Sequence, residues 1–209
     1  MSRKTWIKVL GEWKEVFKIS MKIDGHWTMI KPMIKITGLW KCVYDPSHLP
    51  IPENAEIGDS FGGGKIAYIG PEFETTGGLI VHPEWDYEGG LGNSRQWGCY
   101  GTTVGRDNTE LGAGYVNTEV AVTGECMASN HAPNMCWDRL YNGYSDWYLP
   151  SGDELNEMYE NRNDVDMGTS RFWSSSEATN TSVTIFFSTG SMSLRDKSES
   201  HAFRPVRGR

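Results

Sequence analysis

The sequence predicts an α+β protein built from two modules, and three observations carry this prediction. Residues 11–41 contain a short repeat in which apolar and polar residues alternate as they do in strands. The segment "SGDELNEMYENR" at 151–162 has the pattern of a helix. The remaining sequence is rich in glycine, tryptophan and tyrosine, which is typical of short strands and long loops held by aromatic packing.

The first module, predicted over 1–45, is a small antiparallel β-repeat. Each unit carries a glycine two residues before a tryptophan: Gly11 and Trp13, Gly25 and Trp27, Gly38 and Trp40. The residues between the tryptophans alternate between apolar side chains and lysine or serine, so we expect hairpins with Trp on one face and Lys on the other. Because hairpins this short bury little surface, we expect the module to attach to a neighbouring protein or to mediate oligomerisation.

A linker and a second domain follow the repeat. Residues 46–57 are predicted to form a proline-rich linker, because three prolines stiffen an otherwise polar stretch. The second domain is predicted over 58–209. It begins with the apolar runs "KIAYIG" and "GGLIVHP", separated by glycine-rich segments, and this pattern favours strands joined by long loops.

The clearest helix of the chain follows Pro150. Ser151 is a favourable N-cap, and Glu154 three residues later completes a capping box, in which the two side chains accept from each other's backbone N–H. Acidic residues in the first turn also suit the helix dipole, so Asp153 and Glu154 are interpreted as structural. A further helix becomes possible from about residue 118.

Charge and cysteine content restrict the partners and the compartment. The formal net charge is −7, which disfavours nucleic acid and anionic membranes as partners. No early apolar run resembles a signal peptide, and no apolar run is long enough to span a bilayer. The four cysteines lack C-x-x-C spacing, so we expect buried thiols in preference to a disulfide, which remains the alternative.

Motifs that could carry chemistry are weak. "GDSFGGGK" lacks the first glycine and the final Ser or Thr of a phosphate-binding loop, so it is interpreted as a turn. Glu84, Asp86 and Glu88 are weak candidates for Ca²⁺ binding, because their spacing matches no complete calcium loop. The five histidines are scattered and belong to no catalytic motif, so we expect no enzyme activity and no cofactor.

Six segments of the second domain occur in a characteristic order: "GDSFGGGKIAYI", "WGCYGT", "GYVNTEVAV", "NGYSDWYLPSGDELNEMY", "FWSSSE" and "FRPVR". By these landmarks, residues 58–207 resemble the DUF1566 family, also called the Lcl C-terminal domain. The resemblance implies a C-type lectin-like fold with a mixed antiparallel sheet, two helices and long loops. The segment is also similar to variable proteins that diversity-generating retroelements modify, and the N-terminal repeat resembles short repeats of phage tail proteins.

In such variable proteins a fixed frame surrounds positions that mutagenic retrohoming substitutes. The region 172–207 contains the residues that match this frame: Trp173, Ser174, Ser175, Ser176, Glu177, Phe186 or Phe187, Gly190, Lys197, Arg204, Val206 and Arg207. These retroelements randomise adenines, so an AAY codon becomes NNY, which cannot encode Lys, Glu, Gln, Met or Trp. Between 178 and 196 the only residue of these types is Met192.

The resemblance implies that the residues between the frame positions bind a ligand. Their polar side chains supply adaptable hydrogen bonds and leucine supplies apolar contact, a mixture that suits recognition better than a single chemical step. The predicted ligand-binding residues are Ala178, Thr179, Asn180, Thr181, Ser182, Thr184, Ser191, Ser193, Leu194, Arg195, Asp196, Ser198, Ser200 and His201.

We therefore expect a receptor-binding protein of a phage tail or tail fibre, located in the virion, that binds a bacterial surface protein or glycan. Its N-terminal module would contact tail proteins or sister subunits, and the resemblance favours a homotrimer, in which multivalency strengthens weak sites. One alternative is a structural tail or cell-surface module without a ligand. Another is an enzyme of the related formylglycine-generating type, a cysteine-dependent oxidase, although no cysteine motif here matches that chemistry.

Overall fold

A computed structural model of the chain describes, with their side chains, residues 51–52, 54–70, 77–83, 94–179 and 189–208, together with the backbone of six strands within 5–42 and of residues 181–186. The calcium candidates Glu84, Asp86 and Glu88 and the predicted ligand-binding residue Asn180 lie outside the described residues. The chain divides into two compact units, Met1–Leu49 and Pro50–Arg209.

Among its described residues, the first unit contains three antiparallel hairpins. Each pairs two consecutive strands across a two-residue connection: β1 (Thr5–Val9) with β2 (Glu12–Val16), β3 (Ser20–Ile23) with β4 (His26–Met29), and β5 (Met33–Ile36) with β6 (Leu39–Cys42). The antiparallel strands agree with the period-two pattern of the sequence.

The register of these hairpins corrects the expected separation of Trp from Lys. The pairs are Lys8 with Trp13, Lys22 with Trp27, and Lys35 with Trp40. Residues paired across an antiparallel ladder lie on the same face of the two strands, so the prediction that Trp and Lys occupy opposite faces is wrong. The reason is the connection, because each lysine precedes it by two residues and each tryptophan follows it by two residues.

The second unit combines nine strands and three helices among its described residues. The strands are β7 (Ser60–Phe61), β8 (Gly64–Ile69), β9 (Gly78–Val81), β10 (Ser94–Gln96), β11 (Arg171–Ala178), β12 (Thr181–Phe186), β13 (Ser191–Asp196), β14 (Ser200–Ala202) and β15 (Val206–Gly208). The helices are α1 (Gly114–Val122), α2 (Ala132–Trp137) and α3 (Gly152–Glu160). The α+β class is confirmed, whereas the expected number of two helices is wrong.

Two sheets organise this unit. One has four strands in the order β15-β9-β8-β7, so it joins the beginning and the end of the unit. The other has five strands in the order β10-β14-β11-β12-β13, and it is antiparallel except for a parallel contact between Phe172 and Ala202. The second sheet therefore carries most of the region predicted to vary.

The predicted capping box of α3 is confirmed. The Glu154 N–H donates to Ser151 Oγ at 3.3 Å, and the Ser151 N–H donates to Glu154 Oε2 at 2.8 Å. The apolar face of this helix contributes Leu155 and Met158 to the core, and both side chains are fully buried. Local sequence thus fixes where α3 begins, while packing decides which face turns inward.

Among the described side chains of the second unit, the buried residues form two core clusters. The first lies between α3 and the sheets and comprises Ala67, Leu79, Val81, Tyr148, Leu155, Met158, Val165, Met167, Phe172, Ala202 and Val206. The second comprises Trp97, Ala121, Ala132, Cys136, Leu149, Trp173 and Phe203. The frame residue Trp173 and the nearby Phe203 are both buried in the second cluster.

The predicted linker overlaps the first residues of this unit. Ile51 is buried, and its side chain lies against Gly78 of β9. The Gly58 N–H donates to the Ile66 carbonyl at 2.8 Å, which holds the following segment against β8. Among the helices of the described residues, none combines the length and the apolar character that crossing a bilayer requires.

Candidate functional site

The hairpin of β12 and β13 carries eight of the predicted ligand-binding residues. Its register pairs Thr181 with Asp196, Ser182 with Arg195, Val183 with Leu194, and Thr184 with Ser193. Because successive residues of a strand alternate between faces, the predicted set divides between the two faces of this hairpin. For Thr181, Ser182 and Thr184 the structure describes the backbone only.

Side-chain exposure differs strongly within the predicted set. Thr179, Ser191, Leu194, Ser198 and Ser200 are exposed, whereas Ala178, Ser193, Arg195 and Asp196 are partly buried. Met192, the residue that an NNY codon cannot encode, is exposed and lies on the same strand as these residues. The exposed members are therefore positioned to meet a ligand without rearrangement of the core.

His201 differs from the rest of the predicted set because its side chain is almost completely buried. Its ring packs edge-on against Trp173 with 4.7 Å between ring centroids, and Nε2 lies 2.8 Å from Glu199 Oε2. Burial lowers the pKa of His201, and the neighbouring Glu199 carboxylate opposes this effect. The structure thus places His201 with the frame residues and away from the exposed set.

The serine-rich part of the frame holds a long loop, residues 97–113, against β11. The Trp97 indole N–H donates to the Ser174 carbonyl at 2.8 Å. Ser176 Oγ donates to the Asn108 carbonyl at 2.8 Å and accepts the Gly152 N–H at 3.1 Å. These serines are fully buried, and small hydroxyl side chains satisfy backbone groups of the loop where larger side chains would not fit.

A fully buried ion pair fixes the same loop at its other side. The Glu177 carboxylate and the Lys197 ammonium are in direct contact, and neither side chain is exposed to solvent. The carboxylate also accepts the N–H groups of Val104 and Gly105. Lys197 Nζ donates to the Thr102 carbonyl at 2.8 Å. Two frame residues that are 20 positions apart in the sequence thereby clamp residues 102–105.

The closing frame residues also have structural partners. Arg204 is buried and donates to four backbone carbonyls, those of His82, Pro83, Val165 and Asp166. Burial lowers the pKa of Arg204 to about 10. The Arg207 guanidinium binds both carboxylate oxygens of one residue, Asp146, at 3.0 and 2.9 Å.

Gly190 occupies a left-handed conformation next to α3. Its φ is +69°, and a Cβ at this position would lie 2.6 Å from the ring of Tyr159. Both the conformation and the space require glycine here. Packing and hydrogen bonding within the fold therefore explain the frame residues that the structure describes with their side chains. These are Trp173 to Glu177, Gly190, Lys197, Arg204, Val206 and Arg207.

A disulfide between Cys99 and Cys126 corrects the expectation that the cysteines are thiols. It joins the loop at 97–113 to the segment between α1 and α2, and the spacing of the cysteines along the sequence gave no indication of this pairing. Cys136 does agree with the expectation, since it is a free and fully buried cysteine. Burial raises its pKa well above the usual value, so its thiol is held in the protonated form.

The loop at 97–113 is the part of the site that the sequence did not assign to ligand binding. It touches the predicted set directly, because Thr103 Oγ1 donates to the Thr179 carbonyl at 3.2 Å. The signal available in the sequence was the "WGCYGT" segment, in which an aromatic residue stands between a cysteine and a glycine. Within the part of the chain that carries described side chains, no group of three acidic, His or Cys residues is arranged to hold a metal ion.

Comparison of the chain with protein-family models and with curated proteins found no match.

Proposed function

We propose that this chain is a receptor-binding protein of a phage tail or tail fibre, in which a C-type lectin-like second domain of the DUF1566 type presents a retroelement-diversified surface to a bacterial ligand. One observation carries the proposal. Trp173 to Glu177, Lys197, Arg204, Val206 and Arg207 of the frame are buried and packed or hydrogen-bonded within the fold. Neighbouring residues such as Thr179, Ser191, Leu194 and Ser198 are exposed. A fold that separates the two sets in this way tolerates substitution of one set while the other holds the backbone.

The arrangement of the sheets supports the same proposal. The four-stranded sheet brings the beginning and the end of the second unit together, and the five-stranded sheet ends in the β12–β13 hairpin. A scaffold that closes on itself leaves its loops and its terminal hairpin available for contacts. The three hairpins of the first unit would attach the domain to tail proteins or to sister subunits, with a trimer as the proposed assembly.

The described cysteines bear on the enzyme alternative. Cysteine-dependent oxidation requires a thiolate that a substrate can reach. Cys99 and Cys126 are joined in a disulfide, and Cys136 is fully buried with a raised pKa. These three residues therefore do not favour the formylglycine-generating type of chemistry.

Binding to intact bacteria tests the proposal. The full chain, labelled with a fluorophore, is added to a panel of bacterial strains, and a variant with four alanine substitutions at Thr179, Ser191, Ser193 and Arg195 is compared with it. A matched control carries alanine at four residues elsewhere: Ser129, Ser145, Asn163 and Thr169. We expect the first variant to lose binding and the control to retain it. Equal binding by both variants would contradict the predicted binding surface, and no binding of the unmodified chain to any strain would favour a structural module without a ligand.

The proposed diversification has its own test. A near-copy of the DNA encoding residues 172–207 should lie close to a reverse-transcriptase gene, with adenines at the positions where the two copies differ. Sequencing the neighbouring DNA shows whether these elements are present. Their absence would contradict diversification and would leave the binding proposal to the cell assay.

A further inference from the structure

The turn at 99–102 presents an exposed aromatic side chain beside the predicted ligand-binding residues. The Thr102 N–H donates to the Cys99 carbonyl at 3.0 Å, which closes a β-turn with Tyr100 and Gly101 at its centre. Gly101 has φ +81°, as the third residue of a type II turn requires. Tyr100 is 61 % exposed at the tip of this turn, a large value for an aromatic residue.

This turn is held rigidly on both sides. The disulfide fixes Cys99, and the N–H groups of Trp97 and Gly98 donate to the Lys197 carbonyl at 3.1 and 3.4 Å. On the other side, Lys197 Nζ binds the Thr102 carbonyl. An exposed ring on a fixed turn loses little conformational entropy when it binds a ligand, and this is why tyrosine is frequent in binding surfaces.

The turn adjoins residues of the predicted set. Thr103 Oγ1 donates to the Thr179 carbonyl, and the Gln96 side chain donates to the Ser198 carbonyl at 2.9 Å. We call the resulting surface the Tyr100 ridge, and it consists of Tyr100, Thr102, Thr103, Thr179, Asp196 and Ser198. Its members come from three loops and from the end of β13, so only the tertiary structure places them together.

The charges of the ridge disfavour an anionic ligand. Asp196 is its one acidic side chain, and Glu199 follows close by, half exposed. The lysine that lies between them in the sequence, Lys197, is fully buried and paired with Glu177. The next charged residues along the loop, Arg106 and Asp107, have opposite signs. An anionic ligand would therefore meet carboxylates without a dedicated cationic partner among the ridge residues.

We propose that Tyr100 is a fixed ligand contact outside the diversified region and that the ridge binds a neutral glycan. This inference rests on the proposed function, because it assigns the chemical class of the same site's ligand. The ring of Tyr100 offers an apolar face to the C–H groups of a sugar. The hydroxyls of Thr103, Thr179 and Ser198 donate within the fold, to the Thr179 carbonyl, the Ala178 carbonyl and Asp196 Oδ1. Their oxygens, the Asp196 carboxylate and the Thr102 hydroxyl offer acceptors for sugar hydroxyls. Diversified side chains around this contact would select among glycans while the ring supplies a constant part of the affinity.

The experiment uses the full chain and intact cells of a strain that the unmodified protein binds. Tyr100→Ala is expected to weaken binding roughly tenfold or more, and Tyr100→Phe is expected to retain most of it, because the ring supplies the contact. Leu140→Ala is the matched control, since Leu140 is 56 % exposed on a different loop. Circular dichroism of each variant shows that the fold is intact. Parallel samples of the cells are treated with periodate, which oxidises sugar diols, or with a protease.

Each outcome has a defined meaning. Loss of binding with Tyr100→Ala and after periodate, but not after protease, supports the inference. Unchanged binding by Tyr100→Ala would overturn the role of Tyr100 and would leave the proposed function standing. Binding that depends on Tyr100 but survives periodate and is lost after protease would overturn the glycan class. If the unmodified chain binds none of a broad panel of bacteria, the proposed function itself is contradicted.

Discussion

Replacing Lys197 by methionine tests whether the buried ion pair positions the loop at 97–113. Methionine keeps the length and the apolar stem of the side chain but removes the charge, so the Glu177 carboxylate remains buried without its cation. Breaking a buried pair by removing one partner costs about 3–5 kcal/mol. Glu177 would keep the N–H donors of Val104 and Gly105, so we expect a loss near 3 kcal/mol, at the lower end of this range.

Changing the other partner, Glu177→Gln, should lower the free energy of unfolding more than Lys197→Met does. It leaves the Lys197 ammonium with the Thr102 carbonyl and the ring of Trp97, whose centroid lies 4.7 Å away, as its remaining partners. The amide would also direct its NH₂ group toward N–H donors of the loop. We expect a loss of about 4–5 kcal/mol, at the upper end of the range for a broken buried pair.

Urea denaturation of the two single variants and of the double variant gives the coupling energy. We expect the double variant to be more stable than the sum of the single losses implies, because neither charge is then left unpaired. Lys65→Met is the matched control. Its ion pair with Asp166 is open to solvent, so its removal should change stability little. If Lys197→Met lowers the free energy of unfolding by less than about 1 kcal/mol, the buried ion pair is not what holds residues 102–105 in place.

Three further predictions concern stability. Burial raises the pKa of Glu154 from 4.5 to about 7, so the folded state binds this proton more tightly than the unfolded state does. The free energy of unfolding should therefore fall by about 3 kcal/mol as pH rises from 4.5 through 7. Denaturation as a function of pH should show this decrease in the unmodified chain and not in Glu154→Gln, and equal slopes would contradict the assignment. Alanine in a left-handed conformation typically costs about 1–2 kcal/mol of stability. Gly101→Ala, with open space around its Cβ position, should lower the free energy of unfolding by about that amount, and Gly190→Ala should lower it by more. Equal losses in thermal unfolding would refute the contact between a Cβ at 190 and the Tyr159 ring. Cys99→Ser together with Cys126→Ser opens a loop that spans 27 positions and should lower the free energy of unfolding by about 3.5 kcal/mol. An unchanged urea midpoint would show that the disulfide does not stabilise the fold.

Local features of the fold could be predicted from the sequence because they depend on neighbouring residues. The capping box of α3 requires only Ser151 and Glu154, three positions apart, and it forms as predicted. The strands of the N-terminal repeat follow from alternation along the chain. Their register depends on the connections, and the expected faces of Trp and Lys were wrong because alternation alone does not specify pairing.

The candidate site was predicted less completely, because exposure depends on distant contacts. His201 and Thr179 are both polar residues of the same predicted set. The structure buries the first against Trp173 and exposes the second at a turn. Tyr100 had no place in the prediction, since its sequence position is far from the region thought to vary.

The sequence by itself determined the α+β class and the position of α3, because these depend on local pattern and residue type. Only the tertiary structure decided that Cys99 pairs with Cys126 and that Glu177 and Lys197 close on each other over residues 102–105. The physical reason is that a buried charge requires a partner but does not specify it by spacing. The partners become adjacent only when β11, the end of β13 and the loop at 97–113 pack together, and this packing also brings Thr103, three residues after Tyr100, against Thr179.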